Sequence, residues 1–492
     1  MTVSWAEKRA TSFWSDGMLW PLLAGVPVGL LFLGATQLPS KWFFFLLLGS
    51  LIVTVSFAPI DRKAYYLFLL VLGIPMEVDL NLGFQPSSVN RSTYGFLIHA
   101  SHIPLAALYL IWFARCVTAK LPWHISTRGL IPLCGLFVSG CISVYLTNDR
   151  LFGAFDLFAL LMSLLLFVYA ASDIRERREV QLVLVALMIA LGIEGTIALG
   201  QYVTGSALGL EFFGASWQYS AAPGLAALTR VSGTLGHPNS LALFFDLLLP
   251  LGFSLLFCPM HRHLKNILLA AVVLGIVGQI ATLSRGGITS VGLTLGILLL
   301  VHWREGIGML RGIFILAAAA LLVAGPLLMT QNPVRERFFQ HDYGSAYGRV
   351  PHMQVAFNIL RDRPLFGVGL NRYTAAAQYY DDTPERIISA WQSPVHNLFL
   401  FIAGEVGLVG LGCFLLFLVT VFRALLPALR SPDPFIANTG LGLLMGFLTY
   451  GAHTQIDYNH WTHWHVLWFL LGLAVSMGRL AGSMSTVQAE RS

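Results

Sequence analysis

The sequence predicts an all-α polytopic integral membrane protein, with about 12–14 transmembrane helices and one large polar loop carrying amphipathic helices. Three observations predict it. The 492-residue chain is 56% hydrophobic and only 11% charged, against roughly 25% charged in soluble domains. Its mean hydropathy is +0.71. Its basic residues gather in short connections between long apolar runs, the pattern of cytoplasmic loops.

The apolar runs come in order. They lie near 18–37, 42–60, 64–76, 97–117, 129–147, 152–172, 180–203, 238–258, 266–283, 287–303, 309–329, 396–425, 436–455 and 463–481. Most reach the roughly 20 residues that a spanning helix needs. Lys8-Arg9, Arg62-Lys63, Lys120 with Arg128, Arg175 to Arg178, Arg262 with Lys265, Arg304 with Arg311, and Arg423 with Arg430 then share one side. That side is expected to be cytoplasmic, with both termini on it. The net charge of +6 therefore reads as topology and gives no sign of nucleic-acid binding. The N-terminus has no small-residue cleavage site before its first apolar run, so a retained helix is expected there. The five cysteines lack any ligand spacing and read as small core residues.

Between helical regions at 1–329 and 396–492 lies a polar loop, 330–395. It holds Arg335, Arg337, Arg349, Arg361, Arg363, Arg372 and Arg386, and no lysine. On the outer side this breaks the positive-inside trend and points to anionic partners. The guanidinium fork suits phosphate oxygens. Tyr347, Val350, Phe357 and Leu360 recur at helical spacing, which predicts an amphipathic helix over 346–362, lying on the membrane or capping a cavity.

Four constellations stand out. His396-Asn397 begins the next apolar helix, where Gly404, Gly407 and Gly410 are expected to give a flat packing face. A histidine there is placed to move a proton near neutral pH. Ser284-Arg285-Gly286-Gly287 is a tight turn between apolar runs, whose arginine is costly unless it faces a cavity or water. Arg230 and His237-Pro238-Asn239 precede a helix that Pro238 suits at its first turn. His453, Asp457, His460, His463 and His465 crowd the last outer turn, but Trp461, Trp464 and Trp468 read there as an interfacial belt, and no metal site is assigned. Glu194, Asp246 and Glu405 are intramembrane carboxylates that either line a cavity or bond between helices. No nucleotide-binding loop or nucleophile elbow occurs, so the energy for a reaction must come from the substrate.

Together these motifs resemble the O-antigen ligase family, which groups with O-antigen polymerases and bacterial O-oligosaccharyltransferases. The resemblance covers about 225–425. It rests on His396-Asn397 with Gly407-x-x-Gly410, Arg230 with Gly236-His237-Pro238-Asn239, Ser284-Arg285-Gly286, Arg349, and Pro364-Leu365-Phe366-Gly367-Val368-Gly369. It implies a GT-C-like glycosyltransferase of the bacterial inner membrane with a periplasmic site. It implies a glycan donor on undecaprenyl pyrophosphate, a lipid A–core acceptor, and no metal or other cofactor; attack from the face opposite the leaving group is then expected to invert the anomeric carbon. His396 is expected as general base and Arg285 and Arg349 as the pyrophosphate clamp. Arg230, His237, Asn239 and Asn397 are expected to bind substrate. An O-antigen polymerase or a protein O-oligosaccharyltransferase would use the same donor, and acceptor assays separate the three. A lipid or glycan transporter is the reading from a different class. The chain shows no pair of similar halves, as transporters often do, and transfer without a gradient would separate the two.

Overall fold

The computed structural model describes residues 40–55, 61–118, 125–220, 228–302, 348–384 and 386–489. The apolar runs expected at 18–37 and 309–329 lie outside them, as do Arg335, Arg337 and Tyr347. Residues Met1–Arg62 and Lys63–Ser492 form separate units. The first contributes helix α1 (Ser40–Val55).

The regular elements described in the second unit are helices, apart from two hairpins. Its elements run α2 (Arg62–Gly73, its first residue in the first unit), β1 (Asp79–Leu82), β2 (Phe96–His99), α3 (His102–Thr118), α4 (Leu130–Leu146), α5 (Arg150–Asp173) and α6 (Arg177–Thr204). Then come β3 (Trp217–Ser220), β4 (Leu228–Val231), α7 (Pro238–Leu255), α8 (Arg262–Ala281) and α9 (Arg285–Val301). The polar segment supplies α10 (Arg349–Asp362), α11 (Tyr373–Ala377) and α12 (Ile387–Ala390). The chain closes with α13 (Leu398–Leu429), α14 (Pro434–His453) and α15 (His465–Ala489).

Among the described residues, seven helices are long and apolar enough to cross a membrane: α5, α6, α7, α8, α13, α14 and α15. Four shorter apolar helices accompany them, within α1 and at α3, α4 and α9. The chain is an all-α polytopic membrane protein. Large apolar side chains point outward, among them Leu110, Ile131, Leu293 and Leu300, as lipid-facing surfaces require. The run at 64–76 is a 12-residue helix, α2, too short to span. The run at 97–117 starts as strand β2 before α3 begins. The hairpins were not expected: β1 pairs antiparallel with β2, and β3 with β4. Of the five cysteines, all free, only Cys116 and Cys258 are buried.

Helix α7 is the centre, buried along almost its whole length against α14, α8 and α9. Helix α6 packs along α8, and α15 along α5 and α13. Small residues permit the close crossings. A Cβ on Gly195 of α6 would lie 2.4 Å from the backbone of Leu274 on α8. A Cβ on Gly446 of α14 would lie 2.5 Å from the Leu247 carbonyl oxygen of α7.

Helix α13 departs from expectation. Gly407 sits at φ 71°, ψ −177°, and breaks the helix in two. The turn 364–369 enters the break. Leu408 N–H donates to Pro364 O at 2.8 Å, and Val409 N–H to Leu365 O at 3.3 Å. Val368 N–H donates to Gly404 O at 2.9 Å, and Gly369 N–H to Glu405 O at 3.1 Å. Ser143 Oγ donates to the Glu405 carbonyl at 2.6 Å, and Ser139 Oγ to that of Val406 at 3.1 Å. The backbone groups freed by the break are thereby satisfied inside protein, as an apolar surrounding demands. The expected flat glycine face is instead a socket. Gly407 receives the turn, and Gly404 admits the Tyr373 ring, which a Cβ would meet at 2.5 Å.

The amphipathic helix runs over 349–362, but its buried face differs from the expected one. His352, Val355, Ala356 and Ile359 are buried, while Val350 and Phe357 are 70% and 54% exposed. Packing of α10 on α13 takes the first set, and the expected stripe is left outside. The intramembrane carboxylates all bond between elements. Glu194 accepts from the backbone N–H and hydroxyl of Thr234. Glu405 accepts from Asn371 N–H at 2.9 Å and Trp461 Nε1–H at 3.0 Å.

Candidate functional site

A cavity of about 520 Å³ opens beside His396. It lies between the hairpin β1–β2, the start of α7, the segment before α13 and the α14–α15 connection. Helix caps place its side chains. Asn397 is the N-cap of α13, where its Oδ1 accepts from Leu400 N–H at 3.0 Å. Its Nδ2 donates to Gln455 O at 3.1 Å. Both ends of this amide thus hold helix ends, and they fix His396, one residue earlier, at the cavity wall.

His396 sits among rings, with centroids 5.3 Å from Tyr458, 5.5 Å from Trp391 and 5.9 Å from His352. Its Nδ1 has no partner among the described residues. Burial pushes its pKa down to about 4, with Asp457 pulling it up and His352 and Arg349 adding to the fall. Arg349 begins α10, half-buried, and its Nε is likewise without a partner among the described residues.

His237 is the N-cap of α7, where Nδ1 accepts from Asn239 N–H at 3.1 Å and Pro238 takes the first helical position. Arg230, from strand β4, is buried. Its Nη2 donates to Asn239 Oδ1 at 2.6 Å and its Nε to Thr282 O at 3.0 Å. These bonds tie Arg230 to the α8–α9 turn that carries Arg285. His237, Asn239 and His396 line the cavity, whereas Arg230, Arg285 and Arg349 do not. Three of the other described arginines of the polar segment are engaged elsewhere. Arg372 bonds Thr147, Arg363 pairs with Asp362, and Arg386 donates to Asp381 O.

The glycines after Arg285 have a local cause. Ser284 caps α9, accepting from Gly287 N–H at 3.4 Å. Its Oγ also lies 3.2 Å from His453 Nε2, and His453 Nδ1 lies 2.5 Å from Asp246 Oδ2. Gln279 Nε2 donates to the other oxygen of Asp246 at 3.2 Å. The His453 ring presses on α9 so closely that a Cβ on Gly286 would lie 2.5 Å from it. One on Gly287 would lie 2.3 Å from Gln279 Nε2. Sequence reading named Asp246 and His453 separately; only folding joins them.

Of the five-member histidine–aspartate constellation, Asp457, His460, His463 and His465 line the cavity, but their side chains take separate partners. His453 turns to Asp246, and His465 Nε2 meets His102 Nε2 at 3.1 Å. His460 and His463 stack at 5.4 Å. Among the described residues no group of three or more potential ligands is arranged to hold a metal ion. Sequence reading missed Glu77 and Asp79, which line the cavity. Their signal was the strict alternation Glu77-Val78-Asp79-Leu80-Asn81-Leu82.

Burial also lowers His237 and His460 to about 4. An unfolded histidine titrates near pH 6.5. Between these values the unfolded chain binds more protons than the folded one, so stability is full above about pH 6.5 and falls as pH drops toward about 4. Each of the three histidines contributes up to about 3 kcal/mol to that loss. The shift in unfolding midpoint from pH 7 to pH 5 is expected to be less unfavourable in His460→Gln, which cannot take up that proton, than in the wild type. Equal shifts in the two contradict neutral burial of this ring.

Residues 270–415 match the family model Wzy_C, described as O-antigen ligase. The match contains Arg285, Arg349 and His396 and leaves out Arg230, His237 and Asn239. No curated protein matches the chain. One similar solved chain comes from a structure described as "Structural coordination of polymerization and crosslinking by a peptidoglycan synthase complex". It is 17% identical with a TM-score of 0.36, over 72% of this chain and 97% of that one. Over 270–415, this multi-pass membrane chain is similar to the O-antigen ligase family.

Proposed function

We propose that the protein is an O-antigen ligase of the bacterial inner membrane. It transfers glycan from undecaprenyl pyrophosphate to the lipid A–core oligosaccharide, at a site facing the periplasm, with both termini cytoplasmic. The observation that carries this reading is His396. It lies within the matched family segment, on the wall of a cavity, with a ring nitrogen without a partner among the described residues.

In this reading His396 takes the proton of an acceptor hydroxyl while that oxygen bonds to the anomeric carbon. The bond from that carbon to the pyrophosphate oxygen breaks, and the configuration inverts. Arg285 and Arg349 hold the departing pyrophosphate and stabilise its growing charge. The N-terminus of α9, where Arg285 sits, adds its partial positive charge. An imidazole with a pKa of about 4 is unprotonated at neutral pH but a weak base. Asp457 is the group that raises its basicity. Arg230, His237 and Asn239 bind the donor between the cavity and the arginines, while Asn397 supports His396 as a cap. Helix α10 flanks the site, with the His352 ring centroid 5.9 Å from that of His396.

The test is transfer in vitro by purified protein, with lipid-linked glycan and no ion gradient. Acceptor choice separates the readings: product on lipid A–core supports a ligase. Product only on a second lipid-linked glycan supports a polymerase, and product only on protein supports an oligosaccharyltransferase. Absence of transfer with all three acceptors overturns the glycosyltransferase reading. Arg285→Lys keeps the charge and removes the fork, so it is expected to lower kcat/KM by about tenfold to a hundredfold. Full activity in that variant would remove Arg285 from a bidentate clamp.

A further inference from the structure

The polar segment reaches membrane depth where α10 ends. Pro364 O and Leu365 O accept from Leu408 N–H at 2.8 Å and Val409 N–H at 3.3 Å, just past the break at Gly407. Arg423, exposed near the other end of α13, must lie at or beyond a boundary of the bilayer core. It follows Gly407 by sixteen residues, about 24 Å at the helical rise of 1.5 Å. The hydrocarbon core is about 30 Å thick, so the break falls within it, near the opposite boundary. Helix α4 gives the same depth. A Cβ on Gly140 would lie 3.1 Å from Leu370, and one on Gly369 would lie 3.2 Å from Thr147. The end of the 364–369 turn is therefore level with the last two turns of α4. There Arg150 lies 5.0 Å over the Tyr145 ring, and tyrosine favours the membrane–water boundary.

Irregular backbone survives at that depth only where protein satisfies it. The turn meets this condition through its four backbone bonds to α13. Its side chains do the opposite. Leu408, Val409, Leu415, Leu416 and Val419 form an exposed apolar stripe along α13. Leu365, 60% exposed and bonded through its backbone beside Leu408, extends that stripe, and Phe357 carries it onto α10. Arg361, exposed and four residues after Phe357, shares its face of the helix. An arginine set between two apolar side chains keeps its stem in hydrocarbon and its head at the phosphates. Asp362 accepts from Tyr380 Oη at 2.7 Å and Arg363 Nε at 3.1 Å, so its charge is met within the protein.

We propose that the end of α10 and the 364–369 turn form a wedge inserted into one leaflet of the bilayer. Phe357 and Leu365 lie among acyl chains, and Arg361 holds the phosphate of a phospholipid headgroup. The occupant of this face is bilayer lipid, because the face is continuous with the lipid-facing stripe of α13. The polar segment is thus anchored in the membrane at one end of α10. Arg349 begins the same helix, about 20 Å from that end, so the wedge fixes its height over the bilayer. The inference needs no reaction, and its failure would leave the ligase reading standing.

The test uses purified full-length protein in nanodiscs of phosphatidylethanolamine and phosphatidylglycerol, doped with phosphatidylcholine that carries a diazirine on an acyl chain. After illumination, adducts are located by mass spectrometry of tryptic peptides, with the α13 stripe as internal standard. Adducts on Phe357 and Leu365 are expected within about tenfold of those on Leu415 and Leu416. Both residues are also expected to escape oxidation by hydroxyl radicals in the nanodisc. Arg361→Glu sets a carboxylate against the headgroup phosphates and is expected to lower Phe357 adducts at least about threefold, a loss that Arg361→Lys should not show. The proposal is overturned if Leu415 and Leu416 are labelled and the two wedge residues fall more than about tenfold below them. Oxidation of the pair would then show that water covers this face, and protection from both reagents that protein does. Unchanged labelling in Arg361→Glu overturns the headgroup contact. Should that variant fail to fold, the wild-type labelling decides.

Discussion

His396→Ala is expected to lower glycan transfer by about 10²–10⁴-fold, the usual worth of a positioned general base. The loss should fall on kcat, because removing the proton acceptor weakens only the transition state. Folding should survive, since Nδ1 of this ring has no partner to lose among the described residues. Asn397, which caps α13, is untouched by the change. The measurement is transfer from purified lipid-linked donor by wild type and variant at matched membrane content. Activity within about twofold of wild type would assign the proton to another group. A fall confined to KM would make His396 a binding residue only.

Gly407→Ala is expected to be strongly destabilising. At φ 71° and ψ −177° the backbone occupies a region open essentially to glycine alone, at a cost of about 1–3 kcal/mol for other residues. The new Cβ would also lie 2.1 Å from Leu365 O and 2.3 Å from Phe366 N. Those neighbours are backbone and cannot rotate away, so overpacking adds about 1–3 kcal/mol. Gly367 presents the same problem from the other side, at φ 64° against Gly404 O and Glu405 C. Gly407→Ala should therefore lower the midpoint of thermal unfolding markedly. It should also release the 364–369 turn, which follows directly on α10 and its Arg349. Gly412→Ala, a few residues on, is the control, because nothing lies within 4 Å of the added atom. Equal midpoints for the two variants would refute the socket.

The helices were legible because lipid imposes a simple rule, long apolar runs with satisfied backbones. The 13-residue run at 64–76 failed that rule by length, and it is only a 12-residue helix, α2. The hairpin β1–β2 was passed over because its alternation is short and lies between two apolar runs. The break at Gly407 was invisible for a different reason. Three glycines at helical spacing suit a packed helix and a broken one equally, and the choice depends on the 364–369 turn reaching them. The candidate site was legible in parts. His396, Arg285 and Arg349 could be singled out because charge and imidazole are costly beside lipid. Which polar residues meet was not legible, because Arg230 finds Thr282, and Asp246 finds His453, over long separations in sequence.

By itself the sequence determined the solvent of this protein, its helical class and the family resemblance, since hydropathy and short motifs are local properties. Only the tertiary structure decided where polar atoms find partners. It turned a helix-packing glycine into a socket and Asn397 into a cap. It gathered carboxylates and imidazoles from distant segments around one cavity. The physical reason is that a buried donor or charge is satisfied by whatever group folding brings to it, and no local pattern records that group.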